Sequence, residues 1–296
     1  MNKGPIGFIG LGNMGGRIAR RLCGAGFKIL GYDNQAGRAE ACGAFEARSI
    51  SDVAKQSLII FMSLPDSNVI EAVVEGKDGL LSHAQKGQTL VDLSTASVTS
   101  TKRLNNLCME LGVNYVDAGI SGGAAAADKG TLTLMVGGVS DVVDELRKVF
   151  SPFSSKVVYM GPSGSGHTTK LLNNFLNAVS LSASSEIMIA GKKAGLDLKL
   201  LLEVINCSSG VNFATTNRFP HIIEGDYLEG GLTSKLMTKD IVLYVDLVRE
   251  LGVVSLNSAG PMATFGLASA LGLGDAISNR VVDAIGDLSG GVRLNS

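Results

Sequence analysis

Short apolar, β-branched runs alternate with amphipathic stretches through the first 160 residues. The runs fall at residues 5–10, 28–33, 57–63, 88–92, 114–117, 131–136 and 156–159, and the stretches between them include 15–25, 67–74 and 99–111. A short strand followed by a helix returns the chain for another strand in the same direction, so this alternation predicts βαβ crossovers and a mostly parallel sheet. The pattern changes after Tyr159. Gly161-Pro162-Ser163-Gly164-Ser165-Gly166 is a turn cluster, and beyond it helical periodicity covers 166–194, 198–205, 215–223, 235–251, 260–271 and 275–285. The predicted fold class is α/β: a Rossmann-type doubly wound, mostly parallel sheet over residues 1–160, followed by an all-α C-terminal domain over 161–296.

Composition narrows the function classes. Of 296 residues, 45% are apolar and 18% charged, as in a compact folded protein. The 26 basic and 27 acidic residues leave a formal charge of −1 with no long run of either sign, which argues against a nucleic-acid or anionic-membrane footprint. Four scattered cysteines without a CxxC pair read as reduced thiols of a cytoplasmic protein, and three scattered histidines offer no metal-ligand spacing. The chain has no apolar stretch long enough to span a membrane. Its apolar start at residues 6–11 is too short and glycine-broken to read as a signal peptide. Glycine is in excess, 38 of 296 residues, against a usual share of roughly 7%, so the backbone makes many tight turns or close approaches.

One such approach has a recognisable chemistry. Gly10-Leu11-Gly12-Asn13-Met14-Gly15 places three glycines at G-x-G-x-x-G spacing, directly after an apolar strand and before a helix. Gly10 permits the turn, Gly12 lets the backbone near a pyrophosphate, Gly15 lets strand and helix pack, and the helix N-terminus offers N–H groups to the phosphates. The second strand ends at Asp33, 23 positions after Gly10. A carboxylate there accepts ribose hydroxyls and repels a 2′-phosphate, so NAD is expected over NADP, with Arg38 the nearby residue that argues the other way. Leu64-Pro65 and Ser94-Thr95, each following a strand, are expected walls of the nicotinamide pocket.

Two further features exceed the needs of a bare cofactor domain. Small residues at 117–124 (DAGISGGA) leave backbone N–H groups and the Ser121 hydroxyl open to a carboxylate, or simply form a flexible turn before an alanine-rich helix. On the following long helix Lys170 and Asn174 share a face, which Asn177 continues, among the apolar neighbours Leu171, Leu172, Phe175 and Leu176. Such a stripe is either a snorkelling lysine with solvated amides or a lysine set to exchange a proton with a substrate hydroxyl. Lys239 is a second lysine in apolar company.

Five motifs in order, GFIGLGNMG (7–15), SLPDSNVI (63–70), VDLSTAS (91–97), DAGISGGAAAADKGTLTLMVGG (117–138) and GHTTKLLNN (166–174), with LMTKD (236–240) in support, resemble those of the β-hydroxyacid dehydrogenase family. Its members include 3-hydroxyisobutyrate dehydrogenase and tartronate semialdehyde reductase. The resemblance implies hydride transfer between NAD and a small β-hydroxyacid or its semialdehyde, with no metal. It implies that Lys170 is the catalytic lysine, that Asn174 holds the substrate beside it, and that Ser121, Gly122 and Gly123 bind the substrate carboxylate. Leu64, Pro65, Thr95 and Lys239 are the implied cofactor contacts, beside Gly10, Gly12, Asn13, Met14, Gly15 and Asp33. The chain departs from the family where Gly119 and Val98 replace a common proline and Leu232 a frequent phenylalanine. Residues 208–213, with Arg218 beyond them, are expected to line the substrate side and to meet an extra acidic group. A homodimer or homotetramer built through the helical half is expected. The alternatives are a sulfolactaldehyde or imine reductase of related architecture, against which Ser121-Gly122-Gly123 and Lys170 respectively argue, and a non-catalytic dinucleotide-binding module.

Overall fold

The computed structural model describes residues 4–295. The chain divides into two compact units, with the division after Lys170 inside a helix.

The first unit is built on a sheet of eight strands in the order β3-β2-β1-β4-β5-β6-β7-β8. They are β1 (Ile6–Ile9), β2 (Ile29–Tyr32), β3 (Phe45–Glu46), β4 (Ile59–Met62), β5 (Thr89–Asp92), β6 (Asn114–Ser121), β7 (Leu132–Gly137) and β8 (Ser154–Gly161). Every pairing is parallel except β6 with β7. Between them run α1 (Asn13–Gly24), α2 (Arg38–Ala41), α3 (Ile50–Gln56), α4 (Ser67–Glu75), α5 (Val98–Glu110), α6 (Gly123–Lys129) and α7 (Ser140–Phe150). The central strands are apolar without alternation because both faces are covered. Phe8, Phe61 and Val91 enter one core with Phe150 and Phe153, while their strand neighbours Ile9, Ile60, Met62 and Leu90 enter another with Val74, Leu104 and Cys108. The Phe61 ring centroid lies 5.8 Å from that of Phe8 and 6.0 Å from that of Phe153. Truncating so enclosed a ring to alanine costs about 3–5 kcal/mol.

The strands expected from sequence all form, with β6 continuing four residues beyond Asp117 to Ser121. The sheet gains β3, a two-residue edge strand with Phe45 exposed. Helices α2, α3 and α7 arise where the sequence reading named none, and α6 is an alanine-rich helix following the turn at 117–124.

Helix α8 (Ser165–Lys193) begins in the first unit and continues through the second, where α9 (Leu198–Asn206), α10 (Phe213–Asn217), α11 (Phe219–Ile222), α12 (Ser234–Glu250), α13 (Ala259–Ala268) and α14 (Val281–Leu288) follow. Ala178, Leu181, Met188 and Ile189 of α8 share a core with Leu202, Phe219, Met237, Phe265 and Val281. The helix expected over 215–223 is two helices, because Pro220 has no N–H to carry α10 forward and instead suits the first turn of α11. The helix expected over 275–285 starts later, at a 3-10 turn over Ser278–Arg280, since Ile277 forms a β-bridge with Thr233.

Candidate active site

The loop between β1 and α1 shows why its glycines are needed. Gly10 has φ +85°, and a Cβ on it would lie 2.3 Å from the Ser63 carbonyl oxygen; a Cβ on Gly15 would lie 1.9 Å from the carbonyl oxygen of Gly10. Gly12 is the N-cap of α1 and supplies no side-chain cap, and the first turn holds no acidic residue, so the N–H groups at this helix end face no competing carboxylate of their own helix. Asn13 and Met14 open the helix. A cavity of about 280 Å³ beside the loop is lined by Leu11, Gly12, Asn13, Arg17, Arg20 and Arg38 among others.

Asp33 stands at the end of β2 with 7% of its side chain exposed. The Leu11 N–H donates to its Oδ2 at 2.7 Å and the Gln35 N–H to its Oδ1 at 3.0 Å. These bonds aim the carboxylate while leaving lone pairs for ribose hydroxyls. Arg38 Nη1 is 3.8 Å away and exposed. The residues present therefore fit a dinucleotide: a glycine turn that tolerates no Cβ, an uncapped helix start, and a fixed acceptor on the neighbouring strand.

The other expected contacts of this unit follow the same end of the same sheet. Leu64 and Pro65 follow β4, where the Leu64 N–H donates to Ser94 Oγ at 2.9 Å, and Thr95 follows β5. Together with β1 they flank the β1/β4 position at which strand order reverses, where parallel sheets bind ligands. Ser121 ends β6. Gly122 and Gly123 follow with φ of +123° and +68°, exposed and without a side chain that could cover their N–H groups. Val98 is the first residue of α5, a position that accepts proline or valine alike.

Lys170 lies in the second turn of α8, and its stem rests on β6. A Cβ on Gly119 would stand 2.6 Å from Lys170 Cβ, so glycine at 119 is what lets the lysine approach the strand. The start of α8 is held by a residue without a role in the sequence reading. Asp117, fully buried, accepts the Gly164 N–H at 2.7 Å and the His167 N–H at 2.9 Å. The buried His167 ring meets Thr101 Oγ1 at 2.7 Å through Nδ1. Because the Thr101 hydroxyl donates to the Ser97 carbonyl at 2.9 Å, Nδ1 is the donor of that pair. Tyr115 donates to Asp92 Oδ2 at 2.8 Å beneath it, and burial together with that carboxylate holds the phenol well above its ordinary pKa.

In the second unit Asn174 is buried, and its amide Nδ2 donates to Asp240 Oδ2 at 2.5 Å. Lys239 Nζ lies 3.3 Å from the other oxygen, Oδ1. Asp240 thus joins two residues that the sequence reading singled out separately; it sat unremarked at the end of LMTKD. Leu232 packs against the helical core. Arg218 falls at the α10–α11 junction, bonded to Asn177 and Asn279. Among the described residues no group of three His, Cys, Asp or Glu could hold a metal, and no helix is long and apolar enough to cross a membrane.

Known proteins resemble this chain along most of its length. The family described as the NAD binding domain of 6-phosphogluconate dehydrogenase matches residues 5–161, and that described as NAD-binding of NADP-dependent 3-hydroxyisobutyrate dehydrogenase matches 164–285. A 2-(hydroxymethyl)glutarate dehydrogenase of Eubacterium barkeri is 32% identical over 288 residues, 96% of each chain. The mitochondrial 3-hydroxyisobutyrate dehydrogenase of Homo sapiens is 38% identical over 258 residues, 83% of this chain and 76% of that one. A solved 3-hydroxyisobutyrate dehydrogenase of Mycobacterium tuberculosis, described with L-serine, superposes with a TM-score of 0.86 at 27% identity over 96% of this chain and 99% of that one.

Proposed function

Since this chain belongs to the β-hydroxyacid dehydrogenase family and is an NAD-linked dehydrogenase of small hydroxyacids, we propose that Lys170 is its general base and acid. When bound, NAD supplies the hydride acceptor for the carbon that bears the hydroxyl. Lys170 takes the hydroxyl proton during oxidation and returns it during reduction. Asn174 fixes the hydroxyl beside it, and Ser121, Gly122 and Gly123 hold the substrate carboxylate through a hydroxyl and backbone N–H groups. Leu64, Pro65, Thr95 and Lys239 border the cofactor, whose phosphates meet Gly10–Gly15 and whose ribose meets Asp33.

The observation that carries this reading is the buried amide of Asn174, fixed on Asp240 at 2.5 Å one helical turn from Lys170. A solvated surface stripe would have no reason to bury an amide on a carboxylate. The substrate class is a β-hydroxyacid of the 3-hydroxyisobutyrate type or its semialdehyde. The test follows NADH absorbance with NAD⁺ or NADP⁺ and a panel of 3-hydroxyisobutyrate, glycerate, threonate and 2-(hydroxymethyl)glutarate. Turnover is expected with NAD⁺, and Lys170→Ala is expected to lower kcat by about 10²–10⁴-fold. A Lys170→Ala enzyme within threefold of wild type would refute the assignment.

The helical unit also exposes Leu172, Leu176, Leu200, Val204, Val254 and Leu256. So much uncovered apolar surface supports a homodimer or homotetramer formed through this half. A monomer in sedimentation at micromolar concentration would overturn that assembly. All four cysteines are free thiols, which suits a reducing, cytoplasmic setting.

A further inference from the structure

Arg218 is half-buried among neutral partners. Its Nη1 donates to Asn279 Oδ1 at 2.8 Å and its Nη2 to Asn177 Oδ1 at 2.9 Å, and the Phe213 ring centroid lies 5.7 Å from its guanidinium carbon. Among the described residues no carboxylate lies within ion-pair distance of it. The contrast within the same unit is sharp: Arg280 pairs with Glu229 and Asp283, and Arg293 with Asp283 and Asp287. Desolvation, with no anion to oppose it, draws the Arg218 pKa down to about 10.

A guanidinium withdrawn from water without an anion is an unfavourable arrangement that two amide oxygens offset only in part. The amides do something else well. Asn279 is itself fixed, buried and donating to the Tyr227 carbonyl at 2.8 Å, so the guanidinium is held in one orientation while its remaining N–H donors have no protein acceptor. A charge pre-set in this way and left without its counter-ion is a site for an incoming carboxylate, which a planar guanidinium binds through two parallel hydrogen bonds.

Its position along α8 says which carboxylate. Asn177, the residue that anchors Arg218, follows Asn174 by three positions on the same helix face, a rise of about 4.5 Å. That is roughly the span of three carbon–carbon bonds. We infer that Arg218 binds a second carboxylate of the substrate, about three bonds beyond the carbon that carries the reacting hydroxymethyl group, and that the enzyme prefers β-hydroxydicarboxylic acids to monocarboxylic ones. This assignment rests on Asn174 holding the hydroxyl, as proposed above.

Two substrates isolate the effect. 3-Hydroxyisobutyrate and 2-(hydroxymethyl)glutarate share the reacting HOCH2–CH(COO⁻)– group and differ in replacing a methyl by CH2CH2COO⁻. The wild-type enzyme is expected to favour the dicarboxylate in kcat/KM. Arg218→Gln should collapse that preference by about 10- to 100-fold, the size of a lost charge-assisted pair, chiefly through KM, and Arg218→Lys should restore part of it. Thermal melting of both variants separates this from loss of fold. Equal proportional losses on the two substrates would make Arg218 a structural residue and overturn the inference, as would a preference that survives in Arg218→Gln. Calorimetry of the NADH-loaded protein with glutarate and with butyrate keeps the two readings apart. Glutarate binding that Arg218→Gln abolishes would support the carboxylate site even if no hydroxyacid in the panel turned over, whereas equal affinity for glutarate and butyrate would remove it even if Lys170 proved catalytic.

Discussion

Replacing Asp117 by asparagine tests how the helix that carries Lys170 is held. The two carboxylate oxygens each accept one backbone N–H from the start of α8, Gly164 at 2.7 Å and His167 at 2.9 Å, in a site with no exposure. Asparagine keeps the size and one acceptor. Its amide NH2 must face the other N–H, so one hydrogen bond is lost and two donors are left opposed in a buried place. A hydrogen bond to a charged group contributes about 1.5–3 kcal/mol, and the stranded donors add desolvation of similar order. The net loss should be about 2–4 kcal/mol, with part of it the charge that the helix N-terminus favours. The junction cannot relax easily: a Cβ on Gly166 would stand 2.4 Å from the Asp117 carbonyl oxygen, and one on Gly137 would stand 2.8 Å from Asp117 Oδ1. Urea denaturation followed by far-UV circular dichroism gives the stability change, and kcat gives the consequence for Lys170. Asp66→Asn is the control, because Asp66 caps α4 through the Val69 N–H at an exposed site where asparagine caps equally well. If Asp117→Asn unfolds within about 0.5 kcal/mol of wild type, as surface substitutions do, the carboxylate is not the anchor described here.

Asp33→Asn keeps an acceptor for the Leu11 N–H but removes the charge that opposes a 2′-phosphate, and leaves Arg38, now 3.8 Å from Asp33, without that carboxylate. The kcat/KM ratio of NADP⁺ to NAD⁺ should rise roughly tenfold, about 1.4 kcal/mol of relieved repulsion at a partly exposed site; an unchanged ratio would show that Asp33 does not choose the cofactor. Burial pushes the Cys108 thiol from 9.0 up to about 12, so iodoacetamide at neutral pH should label the exposed Cys207 in the native protein and reach Cys108 only on unfolding. Because the folded pKa lies above the unfolded one, the unfolded chain releases its proton first. Stability should therefore fall as pH rises from about 9 to 12, by at most about 1.4 kcal/mol per unit for this thiol, and Cys108→Ala should flatten the slope.

What the sequence disclosed and what it hid divide along a physical line. The central strands were legible because a strand covered on both faces reads as an unbroken apolar run, as in the four buried residues of β1. Helix α6 was legible only as an alanine-rich stretch without bounds, since alanines burying little beyond Ala127 mark no apolar face. The break at Arg218 was present in Pro220, but the apolar period continued across it and masked the proline. The glycines separate the two cases most clearly. Gly10 and Gly15 constrain each other across a single turn, with 1.9 Å between the carbonyl of one and the absent Cβ of the other, so the requirement is written in a local spacing. Gly119 is required by Lys170, far along the chain, and nothing near position 119 records it. Asp117 is hidden for a further reason: its partners are backbone N–H groups of Gly164 and His167, which carry no side-chain signature at all. The residues proposed for the chemistry stood in motifs, while their buried partners, Asp117 at the start of α8 and Asp240 on Asn174, act across contacts that only the folded chain creates. Arg218, already expected from the sequence on the substrate side, gains from the fold only its neutral partners Asn177 and Asn279, and on these the proposed carboxylate site rests.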